Sequence, residues 1–351
     1  MSDIQSSLAS LLQNILPDFF PDSQSTAGYI VTEGKTVNLS LPFVCNGLLG
    51  AKGEFSHHLE GFAATHKVTI KLSYHISSIK GQNPKVVKNV IAVASGKGGV
   101  GKSTTAINLA AALRLEGARV GILDADIYGP SLPTLLGTKG EQPGSPDNKR
   151  MYPIVINDIQ TMSIGYLVDD NSATIWRGPM ASKAFQQLYN ETLWDELDYL
   201  IVDMPPGTGD IQLTLAQNMP VAAAVIVTTP QDLALADAIK GIAMFNKVDI
   251  NVLGIVENMS YHLCSQCGHK EHTFGAEGGQ RIAQKYQTEL LAQLPLNIQI
   301  RELADSGSQF MFSEQADSTI QQIYRHLARK LSFKVSQQPM EDQQIMVANV
   351  D

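Results

Sequence analysis

The chain has 351 residues, of which 44% are hydrophobic and 17% are charged, and its formal net charge is −8 at pH 7. This length and composition allow a sizeable core and more than one structural unit, while the negative charge argues against a general nucleic-acid-binding surface. The sequence has no run of eighteen apolar residues, so it predicts no transmembrane helix. The N-terminus has no basic segment, so it predicts no signal peptide and therefore a cytoplasmic protein. Three cysteines in the whole chain predict that it has no disulfide framework.

Residues 1–80 predict a small α+β domain. Apolar residues at helical spacing run from Ile4 to Ile15. Three segments have the composition of short strands, at 29–32, 37–41 and 67–72. A polar segment with Cys45 lies between the last two. This unit resembles the small domain, related to an iron–sulfur assembly family, that precedes the ATPase domain in many bacterial Mrp/ApbC-type proteins. Cys45 is either a cluster contact or a small buried hydrophobe.

Residues 89–335 predict a second, larger domain, which follows a linker at 81–88 and precedes a polar tail at 336–351. Apolar strands alternate with helices in this domain, which is typical of an α/β fold with a mostly parallel sheet and helices on both faces. The strands are expected at 90–94, 119–124, 199–203, 221–228 and 251–257, and the helices at 104–116, 182–193, 214–217, 233–247 and 278–286. Residues 138–152 are expected to form an exposed loop.

The turn after the first of these strands reads GKGGVGKS and fits the pattern G-x-x-x-x-G-K-[ST] at every fixed position. Such a loop points backbone N–H groups at phosphates, and the next helix adds the positive end of its dipole. Lys102 is expected to reach the β- and γ-phosphates of ATP, and the Ser103 hydroxyl to bind Mg²⁺. The predicted nucleotide-binding residues of this P-loop are Gly96, Lys97, Gly98, Gly99, Val100, Gly101, Lys102, Ser103 and Thr104.

Carboxylates follow two further strands of the predicted sheet, at the edge where ligands bind. Asp203 ends the apolar run Tyr-Leu-Ile-Val-Asp, as a Walker-B carboxylate does, and is predicted to hold Mg²⁺. Asp124 and Asp126 end another strand. Because two carboxylates beside a polyphosphate would repel it, we assign Asp124 to the Mg²⁺ shell and Asp126 to orienting the attacking water.

The position of Lys97, directly after the first glycine, differs from an ordinary P-loop. With the paired aspartates, GKGGVGKS resembles the deviant Walker A class of P-loop ATPases, the group of MinD, ParA and the nitrogenase iron protein. The resemblance implies that Lys97 reaches across a dimer interface and neutralises charge on the partner's nucleotide. A solvated loop lysine is the alternative. The predicted catalytic residues are therefore Lys97, Lys102 and Asp126.

Further motifs narrow the resemblance. In chain order they are DADIYGPS from Asp124, Trp176-Arg177-Gly178-Pro179, DMPPGTGD from Asp203 and Glu257-Asn258-Met259-Ser260-Tyr261. Residues 89–302 closely resemble the Mrp/ApbC branch of this class, whose members are described as iron–sulfur cluster carriers. The resemblance implies that Asn258 contacts the adenine base, and that the chain receives clusters from scaffold donors and delivers them to apoproteins.

Cys264 and Cys267 form a C-x-x-C knuckle. Thiolates favour zinc or iron–sulfur clusters, and both a tetrahedral thiolate site and a [4Fe–4S] cluster take four ligands. One knuckle supplies two ligands and Cys45 lies in the other unit, whereas a two-fold axis would pair the knuckle with itself. The ligand count and the resemblance both predict a labile [4Fe–4S] cluster that bridges a homodimer. The alternatives are a single-chain zinc site with His269 and His272, a metal-free turn and a redox dithiol.

Two functions fit this pattern. The first is an ATP-dependent cluster carrier whose ATP hydrolysis is slow and coupled to cluster loading or transfer. The second is a positioning or partitioning ATPase of the MinD/ParA type, anchored to a membrane by a C-terminal helix or bound to DNA. Near the C-terminus, one helix face carries the apolar residues Ile320, Ile323, Leu327 and Leu331. This pattern more often indicates a final helix packed on the core than a membrane anchor. The second function has no use for the cysteine knuckle. A third possibility, small-molecule phosphotransfer, lacks a recognisable acceptor pocket in the sequence. We therefore predict a carrier with neither a nucleic-acid nor a membrane partner.

Overall fold

The structure is a computed structural model that describes residues 3–22, 24–49, 54–80, 86–168 and 178–340. Parts of three predicted features lie outside these ranges: Trp176-Arg177, residues 81–85 of the linker and residues 341–351 of the tail. No helix in the described ranges is both long and apolar enough to cross a membrane.

The N-terminal unit has a three-stranded sheet in which β2 pairs antiparallel with β1 and parallel with β3. Its elements are α1 (Asp3–Ile15), β1 (Ile30–Glu33), β2 (Thr36–Leu41), α2 (Asn46–Leu49), α3 (Glu54–His66) and β3 (Thr69–Tyr74). The predicted helix and strands are present. Two helices, α2 and α3, occupy the segment between β2 and β3 that was predicted only as polar. Phe55 and Leu59, four residues apart on α3, are buried in the core of this unit.

In the described part of the larger unit, nine strands form one sheet. Its elements are β4 (Val87–Ala94), α4 (Lys102–Leu115), β5 (Val120–Asp124), α5 (Leu132–Leu135), β6 (Ile154–Ile156), β7 (Ile159–Ser163), α6 (Gly178–Glu191), β8 (Leu197–Asp203), α7 (Asp210–Gln217), β9 (Val221–Thr228), α8 (Asp232–Asn246), β10 (Val252–Leu263), β11 (Lys270–Glu271), α9 (Gly278–Lys285), β12 (Leu290–Leu296), α10 (Ile298–Asp305) and α11 (Ser318–Ser336). The strand order is β6-β7-β5-β8-β4-β9-β10-β12. Within the described part of this sheet, only the pairings of β6 with β7 and of the short β11 with β10 are antiparallel. The predicted mostly parallel sheet is thus confirmed.

Helices cover both faces of this sheet because side chains alternate along its buried strands. On β4, Val90 and Ala92 join a cluster that also holds apolar side chains of α6, α7, α8 and α9. Ile91 and Val93 join the cluster on the opposite face, which holds side chains of α4 and α11. Both faces of the sheet are therefore core, and the phosphate loop leaves the sheet at the carboxyl end of its central strand β4.

Several boundaries differ from those predicted; for example, α6 begins at Gly178 rather than at 182, and α7 begins at Asp210 rather than at 214. β4 begins at Val87, which pairs with Leu197, so the last two predicted linker residues are part of the sheet. β10 continues to Leu263, six residues further than expected, because its second half pairs with β12, a strand that the sequence did not reveal. α11 ends at Ser336, one residue inside the predicted tail. Residues 138–152 form a loop with mostly exposed side chains, as predicted.

Glu116, at the end of α4, joins the N-terminal unit to α11. Its buried carboxylate accepts hydrogen bonds from Nε of Arg325 at 2.6 Å, from Nη1 of Arg329 at 3.1 Å and from the backbone N–H of Gly47 at 2.9 Å. Two guanidinium partners and a backbone donor compensate for the burial of this charge. The apolar side of α11 packs on the core. This helix is therefore the final core helix that the sequence favoured over a membrane anchor.

Replacing Glu116 with alanine is expected to lower the free energy of unfolding by about 3–5 kcal/mol, because buried Arg329 would lose its counter-charge. Urea denaturation measures this change. The matched control is Asp305→Ala in the exposed ion pair with Arg301, which should shift the same free energy by less than about 1 kcal/mol. Equal effects of the two substitutions would contradict the role assigned to Glu116.

Candidate nucleotide site and cysteine knuckle

The predicted P-loop connects β4 to α4 and contains glycines that no other residue could replace without strain. Gly99 and Gly101 have φ angles of 80° and 79°, in the left-handed region that favours glycine. A Cβ at Gly101 would lie 2.1 Å from Nδ2 of Asn258, and one at Gly96 would lie 2.1 Å from the carbonyl oxygen of Asp237. The glycines therefore provide both the curvature of the loop and its close approach to neighbouring elements.

Lys102 and Asp203 form a buried ion pair next to this loop. Nζ of Lys102 donates a hydrogen bond to Oδ1 of Asp203, and it lies 3.4 Å from Oγ of Ser103. Oδ2 of Asp203 is also buried and has no hydrogen-bond partner among the described residues. Such an oxygen beside a phosphate loop suits Mg²⁺ or a water of its shell, because this ion prefers carboxylate and hydroxyl oxygens. Asp203 and Ser103 therefore fit the predicted metal.

Asp124 lies beside Asp203, because β5 and β8 pair in parallel with these residues in register. Four donors at 3.0–3.1 Å hold its carboxylate, namely the N–H groups of Asp126, Ser131 and Leu132 and the hydroxyl of Ser163. Burial, followed by the charge of Asp203, raises the pKa of Asp124 to about 7. Three of the four donors bind Oδ2, which leaves Oδ1 with capacity for another partner. The place of Asp124 in the Mg²⁺ shell stays a prediction.

Asp126 is partly buried next to the same loop, and burial raises its pKa while the charge of Lys102 opposes this shift. A carboxyl group with a raised pKa is better suited to accept a proton from water near neutral pH. Lys97 is half-buried, and its ammonium group has no hydrogen bond or ion pair within the described ranges. Two roles stay predictions: that Asp126 orients the attacking water, and that Lys97 reaches the nucleotide of the partner chain.

Asn258 contacts the P-loop directly. Its Nδ2 donates a hydrogen bond to the carbonyl oxygen of Val100 at 2.9 Å. This contact places the Asn258 amide beside the phosphate-binding residues, although it lies 155 positions after Ser103 in the chain. Its predicted contact with adenine would use the same amide group. That role also stays a prediction.

Cys264 and Cys267 lie in the tight turn between β10 and β11. The N–H of Cys264 donates to the carbonyl of His269 at 3.0 Å, and the N–H of Gly268 donates to the carbonyl of Cys264 at 2.8 Å. Cys264 is partly accessible and Cys267 is exposed. Backbone N–H groups of Gln266 and Cys267 lower the pKa of the Cys264 thiol, which favours the thiolate that binds metals.

The donors of the single-chain zinc alternative are not assembled. Nδ1 of His272 lies 3.0 Å from the carbonyl oxygen of Ser260. Over the part of the chain that the structure describes, no group of three or more His, Cys, Asp or Glu side chains is placed to hold a metal ion. Cys45 is fully buried in the N-terminal core, and burial raises its pKa to about 12. It therefore packs as an apolar residue, and the knuckle offers two thiols per chain.

The strand β10 connects the two candidate sites, a relation that the sequence did not reveal. Asn258, at its middle, contacts the P-loop, and Cys264 follows directly after its last residue. Glu257 and Ser260, which were named only as members of a motif, form a buried hydrogen bond at 2.5 Å in the same segment. The sequence signal that could have singled out Glu257 is its position as a carboxylate at the end of an apolar run.

The chain is similar in sequence to several known proteins. A family model described as "ParA: NUBPL iron-transfer P-loop NTPase" matches residues 86–332. The chain is 55% identical over 304 residues to an iron–sulfur cluster carrier protein of Salmonella typhimurium, covering 85% of this chain and 82% of that protein. It is 48% identical over 255 residues to the iron–sulfur cluster transfer protein NUBPL of Mus musculus, covering 72% of this chain and 79% of that protein.

Two solved structures are similar to the larger unit. A nucleotide-binding protein of Archaeoglobus fulgidus in complex with ADP is 38% identical, with a TM-score of 0.56, and the match covers 63% of this chain and 87% of that one. The cell division ATPase MinD of Pyrococcus furiosus is 21% identical, with a TM-score of 0.52, over 69% of this chain and 98% of that one. This second likeness concerns the fold alone. The chain belongs to the family of NUBPL-type iron-transfer P-loop NTPases, to which it is joined by a family model that spans most of its length.

Proposed function

We propose that this chain binds and slowly hydrolyses ATP with Mg²⁺, and that two copies of it carry one labile [4Fe–4S] cluster to recipient apoproteins. The observation that supports this proposal is the accessible Cys264–Cys267 knuckle at the end of a strand that also contacts the P-loop. Two thiols per chain are half of the four ligands that such a cluster takes, and a two-fold homodimer supplies the other half. A cytosolic location would keep the three cysteines reduced.

The P-loop residues have distinct roles in this proposal. Lys102 binds the β- and γ-phosphates, and Lys97 reaches the nucleotide of the partner chain. Ser103, Asp203 and Asp124 hold the Mg²⁺ shell; when bound, this ion neutralises charge on the phosphate oxygens. Asp126 orients the attacking water. Because nucleotide then lies at the interface between two chains, its binding controls how the two knuckles meet.

Reconstitution with iron and sulfide under anaerobic conditions, followed by transfer to an apoprotein, tests this function. The loaded protein is expected to activate the recipient in the presence of an iron chelator, and ATP is expected to change the transfer rate about fivefold or more. The control is the same amount of iron and sulfide without carrier. A protein that takes up no iron, or that instead sediments with liposomes or DNA when ATP is added, would contradict the proposal.

A further inference from the structure

The strand β10 is irregular at one point between the P-loop and the cysteine knuckle. Its pairing with β12 shifts register between Glu257 and Tyr261. Met259, inside this bulge, has a φ angle of +53°, which is uncommon for a residue other than glycine. A strained backbone of this kind persists only where surrounding contacts hold it in place. The bulge is therefore a fixed feature whose supporting contacts can be identified.

Each side of the bulge contacts one of the two sites. On one side, the Asn258 amide donates to the carbonyl of Val100 in the P-loop at 2.9 Å. On the other side, the carbonyl of Ser260 lies 3.0 Å from Nδ1 of His272, which follows the knuckle and β11. Residues 257–260 thus connect the P-loop, which Asn258 contacts, to the His272 segment, which follows the two cysteines in the chain.

Glu257 supplies the contacts that hold the bulge. Its carboxylate is fully buried; Oε1 accepts hydrogen bonds from Oγ of Ser260 at 2.5 Å and from Nε2 of Gln293 on β12 at 2.9 Å. Oε2 accepts the backbone N–H of Gly279, in the first turn of α9, at 2.5 Å. The N-cap residue of α9, Glu277, makes no side-chain cap, so Glu257 provides the negative charge that a helix N-terminus favours.

The contact with α9 depends on a glycine. A Cβ at Gly279 would lie 3.0 Å from Oε2 of Glu257 and 3.2 Å from its Cβ, so a larger residue would displace the carboxylate. Burying an ionised carboxylate is unfavourable unless its oxygens are hydrogen-bonded. Here three donors from three elements meet that requirement, and they fix Glu257 relative to β12, α9 and the bulge together.

We propose that Glu257 is a positioning residue that makes the β10 bulge rigid and thereby transmits nucleotide binding from the P-loop to the Cys264–Cys267 knuckle. The inference rests on the proposed function. In this proposal, the Asn258 amide gives up its hydrogen bond to the carbonyl of Val100 and turns toward the base when nucleotide enters the loop. Because Glu257 fixes the bulge through Ser260, that rotation moves the Ser260 carbonyl and the His272 segment instead of being absorbed by a flexible backbone.

The test uses the protein without cluster, so that it does not depend on reconstitution. The alkylation rates of Cys264 and Cys267 by iodoacetamide are measured by mass spectrometry, with and without Mg²⁺ and a non-hydrolysable ATP analogue. In the wild-type chain the analogue is expected to change these rates about fivefold or more. Ser260→Ala removes the hydroxyl that joins Glu257 to the bulge, and it is expected to abolish the response while the affinity for the analogue stays within about twofold of wild type.

Two further variants separate coupling from general stability. Thr288→Val removes a hydrogen bond of 3.1 Å to the carbonyl of Val252, at the other end of β10, and should retain the full response. Glu257→Gln keeps the shape of the side chain and an acceptor for the N–H of Gly279, so this variant should retain part of the alkylation response. Light scattering in the presence of the analogue is expected to give the same dimer fraction for Ser260→Ala as for wild type. Loss of the alkylation response in this variant would then not be caused by loss of dimerisation.

The outcomes distinguish the two proposals. A wild-type chain that binds the analogue without any change in cysteine alkylation overturns the coupling role of Glu257 and leaves the carrier function standing. A full response in Ser260→Ala, or a loss of analogue affinity in that variant, also overturns it. Failure of the wild-type chain to take up iron overturns only the carrier function, whereas failure to bind nucleotide overturns both.

Discussion

Replacing Lys102 with alanine is expected to lower the rate constant of ATP hydrolysis by about 10²- to 10³-fold. Lys102 is the buried cation of the P-loop, where it pairs with Asp203 beside the loop N–H groups. In such a site a positive charge aimed at the phosphates acts with little screening by water, so its removal affects the transition state strongly. Steady-state phosphate release measures the rate constant, and nucleotide fluorescence measures the affinity.

The substitution also leaves Asp203 buried without its counter-charge, so folding and catalysis are separated by a second variant. Lys102→Met combined with Asp203→Asn removes both charges; it is expected to unfold at a temperature near that of wild type and still to lack hydrolysis. Lys97→Ala is expected to bind nucleotide with wild-type affinity and to lose hydrolysis, because in the proposed mechanism Lys97 acts on the partner's nucleotide. Wild-type hydrolysis in Lys102→Ala would contradict the assignment.

Replacing Cys264 with serine is expected to abolish retention of the cluster, with iron and acid-labile sulfide falling to background after gel filtration. A homodimer with this substitution loses two of the four thiolates that a bridging [4Fe–4S] cluster takes. The remaining Cys267 thiols are exposed and, in the described ranges, no group of three or more suitable side chains stands by to replace the lost ligands.

The matched control for the cysteine variant is Cys45→Ala. Cys45 is buried in the N-terminal core with a raised pKa, so its removal should reduce stability slightly and leave iron loading unchanged. Normal iron content in Cys264→Ser would contradict the bridging site. Loss of iron in Cys45→Ala would contradict the placement of Cys45 as a core residue.

The parts of the fold that could be predicted are those whose signal is local. The P-loop needs eight consecutive residues, and β9 is an unbroken apolar run, so its predicted and observed limits agree at Val221–Thr228. β12 was missed because LLAQLPL contains a glutamine and a proline. It is a strand because β10 pairs with it over most of its length. Tertiary pairing of this kind has no counterpart in the sequence pattern.

The site shows the same division between local and distant contacts. The ends of β4, β5 and β8 are adjacent because parallel strands place their carboxyl ends at one edge, and this follows from the strand pattern alone. The ion pair of Lys102 with Asp203 joins residues 101 positions apart, and Gly279 donates to Glu257 across 22 positions. Such contacts depend on how helices dock on the sheet. The sequence therefore indicated the chemistry of Lys102 and Asp203 without their ion pair, and it did not reveal the contact between Glu257 and Gly279.

Native mass spectrometry of the reconstituted protein tests the central claim most directly. The account predicts that the cluster is found only in the dimer, as two chains with one [4Fe–4S] cluster, and that monomers carry no iron. Alkylation of Cys264 and Cys267 before reconstitution is expected to remove the cluster-bearing dimer. A cluster-bearing monomer, or a loaded dimer that forms after both cysteines have been alkylated, would contradict a cluster bridging two knuckles.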